Sequence, residues 1–192
     1  MTEKALLFDF FGVVHNNPVG DFLVANKHQE LLESQWFKDS AKTLDLGEQT
    51  MDWFYDKLAY LTGNTKDFVV REVDKLAYAN VELIAYIREL KTQGAKVGLL
   101  SNSSIEYISP FLHKYGLEKV FNPLLISAEI KIAKPDERAF RIATKMLGEE
   151  FDSVLFIDDT WKNVESAQKL GMKAIHFKDN NSVLQGIEQA WK

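Results

Sequence analysis

The chain has 192 residues, of which 46% are hydrophobic and 27% charged, with a formal net charge of −5. That length predicts one core domain with room for a modest insertion, and the composition excludes disorder, collagen and coiled coil as global states. The absence of cysteine excludes disulfide scaffolds, thiolate metal sites and cysteine nucleophiles. An acidic balance with no basic stripe gives no reason to expect nucleic acid or a membrane as partner.

The first apolar run, residues 5–10, predicts a buried strand ending near Asp9. It lacks the basic leader and cleavage site of a secretory signal, and no run reaches the ~18 apolar residues of a membrane span; the expected compartment is the cytoplasm. About 80 residues then separate this strand from the next, far more than one crossover helix needs. Helical patterns fill that interval at 22–32, 34–43, 48–61 and 65–76, punctuated by Gly47 and Gly63. They predict an inserted helical subdomain over 17–79, or alternatively extra helices packed on one sheet face. From 81 onward helices and short apolar strands alternate. Helices are expected at 81–92, 104–115, 136–147 and 163–170, and strands at 96–101, 124–127, 154–157 and 173–177. Pro110 should break or kink the second of these helices. This rhythm predicts a parallel sheet covered on both faces.

Ligands of open α/β sheets bind at the carboxyl ends of the strands. Reading those ends collects Asp9, Ser101 with Asn102, Lys134, and Asp158 with Asp159. Singly, each is an ordinary turn residue, helix cap or helix-start signal. Together they form a cluster of three carboxylates, which repel one another unless a hard cation joins them. Mg²⁺ suits such an oxygen-rich site. The metal and Lys134 would then draw a phosphate to an acidic protein, Ser101 and nearby backbone amides would hold its oxygens, and Asp9 would attack phosphorus.

These residues carry a resemblance. Leu6-Leu7-Phe8-Asp9-Phe10-Phe11-Gly12-Val13-Val14, Leu99-Leu100-Ser101-Asn102, Lys134-Pro135-Asp136 preceded by Ser127, and Phe156-Ile157-Asp158-Asp159 followed by Asn163 and Leu170-Gly171-Met172 stand in order. They resemble the four motifs of the haloacid dehalogenase superfamily, which consists mainly of phosphatases. The resemblance implies an α/β fold, a Rossmann-like three-layer core (1–16 and 80–192) with a small α-helical cap (17–79). It implies Asp9 as the nucleophile that becomes an aspartyl-phosphate, and Ser101 and Lys134 as its catalytic companions. It implies Mg²⁺ held by Asp9, the Phe11 carbonyl, Asp158 and Asp159, and a small phosphorylated substrate near Phe11, Gly12, Asn102 and Asn163. The phosphatases in this group that resemble the chain around Asp158 to Asn163 act on sugar phosphates. A monomer or homodimer is expected.

One position departs from that pattern. The family's phosphatases usually carry a second Asp two residues after the nucleophile, which protonates the leaving group; here that residue is Phe11. Losing such an acid typically costs ~10²–10⁴ in rate. His15, beyond the first motif, is one candidate replacement. Phe11 and Ser101-Asn102 also suit a 2-haloacid dehalogenase, although that reaction has little use for Asp158-Asp159. A non-catalytic phosphate- or metabolite-binding protein is the third reading.

Overall fold

The computed structural model describes residues 5–190; the ends of the expected core, 1–4 and 191–192, lie outside the described residues. Five parallel strands form one sheet in the order β3-β2-β1-β4-β5. They are β1 (Ala5–Phe8), β2 (Lys96–Ser101), β3 (Leu124–Ile126), β4 (Val154–Asp158) and β5 (Lys173–His176). β1 is central because every one of its residues is apolar and fully buried, the pattern of a strand with no solvent face.

Alternate residues of each strand feed opposite layers, since the side-chain period of a strand is two. Leu6 and Phe8 of β1, Val97 and Leu99 of β2, and Leu155 and Ile157 of β4 share one apolar cluster. It is closed by α5 (Val81–Thr92), α6 (Ile105–Lys114) and α10 (Asn180–Ala190). Ala5, Leu7, Leu100, Val154 and Phe156 face the other way, against α8 (Glu137–Leu147) and α9 (Trp161–Lys169), and the short α7 (Ser127–Ile130) follows β3 directly. The result is the expected three-layer α/β architecture.

Several boundaries differ from the sequence reading. β1 stops at Phe8, so Asp9 lies just past the strand, its N–H still donating to the Ile157 carbonyl at 2.8 Å. α6 runs through Pro110. Only the Glu106 carbonyl loses its helical partner there, and both residues are exposed to water. α9 begins at Trp161, earlier than expected, and α10 is absent from the sequence reading altogether.

Between β1 and α5 stand α1 (Pro18–Ala25), a 3₁₀ turn at Gln29–Glu33, α2 (Gln35–Asp45), α3 (Met51–Thr62) and α4 (Lys66–Leu76). The expected helix at 22–32 is thus divided and starts sooner: Asn17 caps Gly20 N–H and Pro18 fills the first turn. Ser34, Thr50 and Thr65 cap the next three helices through their hydroxyls. These helices bury their own apolar cluster, with Phe22, Leu23, Phe54, Leu58, Val69 and Val73 inside and Trp36 stacked on Phe54 at 5.7 Å. The chain leaves and re-enters the sheet layer side by side. Asn80 N–H donates to the Val14 carbonyl at 2.9 Å, and Tyr78 N–H donates to Asn16 Oδ1 at 2.9 Å.

Candidate active site

The strand carboxyl ends bring the polar residues together. Lys134 is the hub: its Nζ lies 2.5 Å from Asp9 Oδ1 and 2.7 Å from Asp158 Oδ2, with all three side chains buried. Asn102 fixes the backbone of that lysine, accepting from Lys134 N–H at 2.8 Å and donating to its carbonyl at 2.9 Å. The Asn102 side chain, expected at the substrate, is therefore committed to the loop that carries Lys134. Asn163 is likewise committed: its Nδ2 donates to both oxygens of Asp158, at 3.1 and 3.0 Å.

The two acidic neighbours after β4 differ. Asp158 is fully buried and accepts from Thr160 N–H, Asn163 and Lys134. Asp159 is exposed, and among the described residues the one hydrogen bond to its carboxylate is from Thr160 Oγ1 at 3.3 Å. Asp158 is thus a fixed anchor and Asp159 an open one. Gly12 lets Asp159 approach: with φ +74, a Cβ there would stand 2.0 Å from Asp159 Oδ2. The Gly12 N–H donates to the His15 carbonyl at 2.6 Å, so Gly12 serves the site through its missing side chain.

Asp9, Asp158 and Asp159 each offer one oxygen, and these lie within 4.8 Å of one another. Burial pushes the Asp9 carboxyl up, Lys134 pulls it down, and Asp158 and Asp159 push it up again; the outcome lies above the ordinary carboxylate range. Burial and Asp158 raise Asp159 too. Burial pulls Lys134 down, but Asp9 and Asp158 outweigh it and keep its ammonium above the ordinary lysine value. One ammonium among three carboxylates leaves excess negative charge in a half-buried site, and a hard divalent cation on oxygen ligands fits it. Ser101 Oγ, fully buried at the end of β2, has no hydrogen-bond partner among the described residues. Such an orphan needs an explanation, and an incoming oxyanion supplies one.

Asp9, Lys134, Asp159 and Asn163 floor a cavity of about 1160 Å³, roofed by α2. Lys38, Lys42, Lys131, Arg138 and Lys162 surround it, so the acidic chain presents cations where a phosphate would enter. A narrower recess of about 200 Å³ adjoins it between α2, α3 and the sheet, walled by Phe11, Val19, Phe37, Leu44, Met51, Phe54 and Tyr107. Asp45 lines both spaces. Neither the recess nor Asp45 was expected from sequence, because both arise where the helical segment meets the sheet.

His15 is buried among Phe10, Phe11, Tyr107 and Phe111, with Nδ1 2.7 Å from the Asn16 carbonyl oxygen. Burial lowers its pKa, and it lines neither space.

The family model for haloacid dehalogenase-like hydrolases matches residues 3–171. The chain belongs to that family. It is 24% identical over 192 residues to the sesquiterpene phosphatase astK of Aspergillus oryzae, covering 98% of this chain and 96% of that one. It is 28% identical over 103 residues to the (S)-2-haloacid dehalogenase of Pseudomonas sp. strain YL, spanning 54% of this chain and 44% of the dehalogenase. A HAD family enzyme from Bacteroides thetaiotaomicron, solved with magnesium and inorganic phosphate, shares the fold at a TM-score of 0.70 and 22% identity, over 93% of this chain and 96% of that one. The HAD-family hydrolase fold read from the four motifs is thereby established. Among the described residues no helix is long and apolar enough to cross a membrane.

Proposed function

We propose that this HAD-family hydrolase is a Mg²⁺-dependent phosphatase working through an aspartyl-phosphate on Asp9. The observation that carries the reading is the Asp9–Lys134–Asp158 array with Asp159 open beside it and Ser101 Oγ unpartnered. Asp9, the Phe11 carbonyl and Asp159 would hold Mg²⁺, with Asp158 fixing Lys134. When bound, the ion neutralises phosphoryl charge and aligns the ester with Asp9. Asp9 attacks phosphorus, Lys134 holds the attacking carboxylate and the phosphoryl oxygens, and Ser101 Oγ–H donates to one of them. Residues 1–16 and 80–192 would form the catalytic core and 17–79 the cap that closes over it.

The substrate is a small phosphate ester. Its phosphate meets the cationic cavity and its organic group meets the apolar recess. A sugar phosphate, suggested by the resemblance, draws no support from that recess. An isoprenoid or aromatic ester fits it better, and a sesquiterpene ester is what the name of astK describes.

The dehalogenase reading rests on Phe11 and on the Pseudomonas relative. Against it, a halo-acid brings its own carboxylate to a site that already holds three. The test is hydrolysis of p-nitrophenyl phosphate with Mg²⁺, with EDTA, and by Asp9→Asn. Turnover that needs both metal and Asp9 is expected. Halide release from 2-chloropropionate without phosphate release would overturn the reading, and silence with both substrates would leave the binding-protein alternative in possession.

A further inference from the structure

We propose that Asp45 of the helical segment supplies the leaving-group proton that Phe11 cannot. The proposal rests on the phosphatase reading above and deepens it. The acid is not missing from the molecule; it reaches the site from the opposite wall.

Asp45 is the last residue of α2, and of the acidic residues around the site it alone lines both the phosphate cavity and the apolar recess. An ester whose phosphate lies over Asp9 and whose organic group fills the recess must pass its bridging oxygen through the junction of the two spaces. Asp45 stands at that junction. It is near enough to Lys134 to feel the ammonium. The placement is also secured from the catalytic side. Lys131, three residues before Lys134, donates from Nζ to the Leu46 carbonyl at 2.9 Å and to the Gly47 carbonyl at 3.3 Å. The turn that follows Asp45 is thus tied to the loop that carries the central lysine.

The residue is also hard to explain as scaffold. Its carboxyl makes no hydrogen bond and no ion pair among the described residues, although it is half-buried. An aspartate at a helix C-terminus opposes the helix dipole, and a buried carboxyl without a partner disfavours folding. Burial pushes it up to about 7, Lys134 pulling against that rise. It therefore holds a proton near neutral pH and can release it, which is what an acid–base catalyst needs.

The chemistry balances. Asp9 Oδ forms the new bond to phosphorus while the phosphorus–ester oxygen bond breaks. The Asp45 proton moves to that oxygen, so the alcohol leaves neutral and Asp45 is left as carboxylate. Asp45 then takes a proton from the water that attacks the aspartyl-phosphate. The bond from phosphorus to Asp9 breaks, inorganic phosphate leaves, and both side chains return to their starting states.

The test compares p-nitrophenyl phosphate with n-hexyl phosphate by kcat/KM, which reports steps up to phosphoryl transfer to Asp9. A nitrophenolate leaves without help, whereas an alkoxide does not. Asp45→Asn should lower kcat/KM for the hexyl ester by ~10²–10⁴ and that for the nitrophenyl ester by a much smaller factor. Asp45→Glu, which keeps a proton to give, should recover part of the hexyl activity. A merely structural role would lower the melting temperature and both activities together. With the wild type active on both esters, equal losses, or no loss on the hexyl ester, overturn the role of Asp45 while the phosphatase reading stands. A wild type inert to both esters overturns the reading and the proposal with it.

Discussion

Asp45→Asn also has a consequence for stability that can be measured without any substrate. Burial raises the Asp45 carboxyl from 3.8 to about 7 in the folded chain, while the unfolded chain has an ordinary carboxylate. Between those values the folded state binds more protons than the unfolded state, so stability falls as pH rises. The slope is about 1.4 kcal/mol per pH unit over roughly three units. The charged carboxylate therefore costs about 4 kcal/mol above pH 7, an upper figure because the side chain is only half-buried and borders an open cavity. Asparagine has the same shape and no charge. Urea unfolding of metal-free protein at pH 4, 5, 6, 7 and 8 should give equal stability for the two proteins near pH 4. The variant should then gain steadily to about pH 7 and hold a constant advantage beyond it. A difference that does not change with pH, or a variant less stable at pH 8, would refute the argument that this carboxyl is desolvated and unpaired.

The sheet is legible in the sequence because β1, β2 and β4 are apolar on both faces, as with Leu6, Leu7 and Phe8. No amphipathic alternation is needed to find them. The helices that start with a clear cap are also legible, and those that do not are misplaced. Asn17-Pro18 is a start signal, but it opens a short helix in which Gly20 and Asp21 dilute the apolar pattern. α10 shows only Val183 and Ile187 as buried residues, with Gly186 packed against Ile175 between them. Its helical period is too thin to read before the sheet edge that it covers is known.

Within the site, Asp9, Ser101, Lys134, Asp158 and Asp159 are legible because parallel strands deliver their carboxyl ends to one rim. The division of labour among them is not. Whether Asp158 or Asp159 stays open depends on hydrogen bonds from Thr160 and Asn163, and whether Asn102 faces substrate depends on the course of the Lys134 loop. The recess and Asp45 are less legible still, since they exist only where α2 crosses the rim. A helix with Leu44, Asp45 and Leu46 at its end reads as a surface helix until its neighbour across the cavity is in place.

Two further substitutions examine the floor of the site. Gly12→Ala places a methyl group where Asp159 Oδ2 now stands, at a backbone φ of +74. The left-handed conformation alone costs about 1–2 kcal/mol. The displaced Asp159 should weaken Mg²⁺ binding by ~10–100-fold, read by titration calorimetry; unchanged affinity would remove Asp159 as a ligand. Ser101→Ala is expected to move stability and binding in opposite directions. Its buried hydroxyl lacks a partner among the described residues, and an unsatisfied buried polar group costs about 1–3 kcal/mol, so the alanine variant should melt higher than wild type. Inorganic phosphate with Mg²⁺ should raise the melting temperature of the wild type and raise that of the variant less, because the hydroxyl that would meet a phosphoryl oxygen is gone. A variant that melts lower, yet gains as much from phosphate as the wild type, would show that Ser101 is packing material and that the oxyanion is held elsewhere.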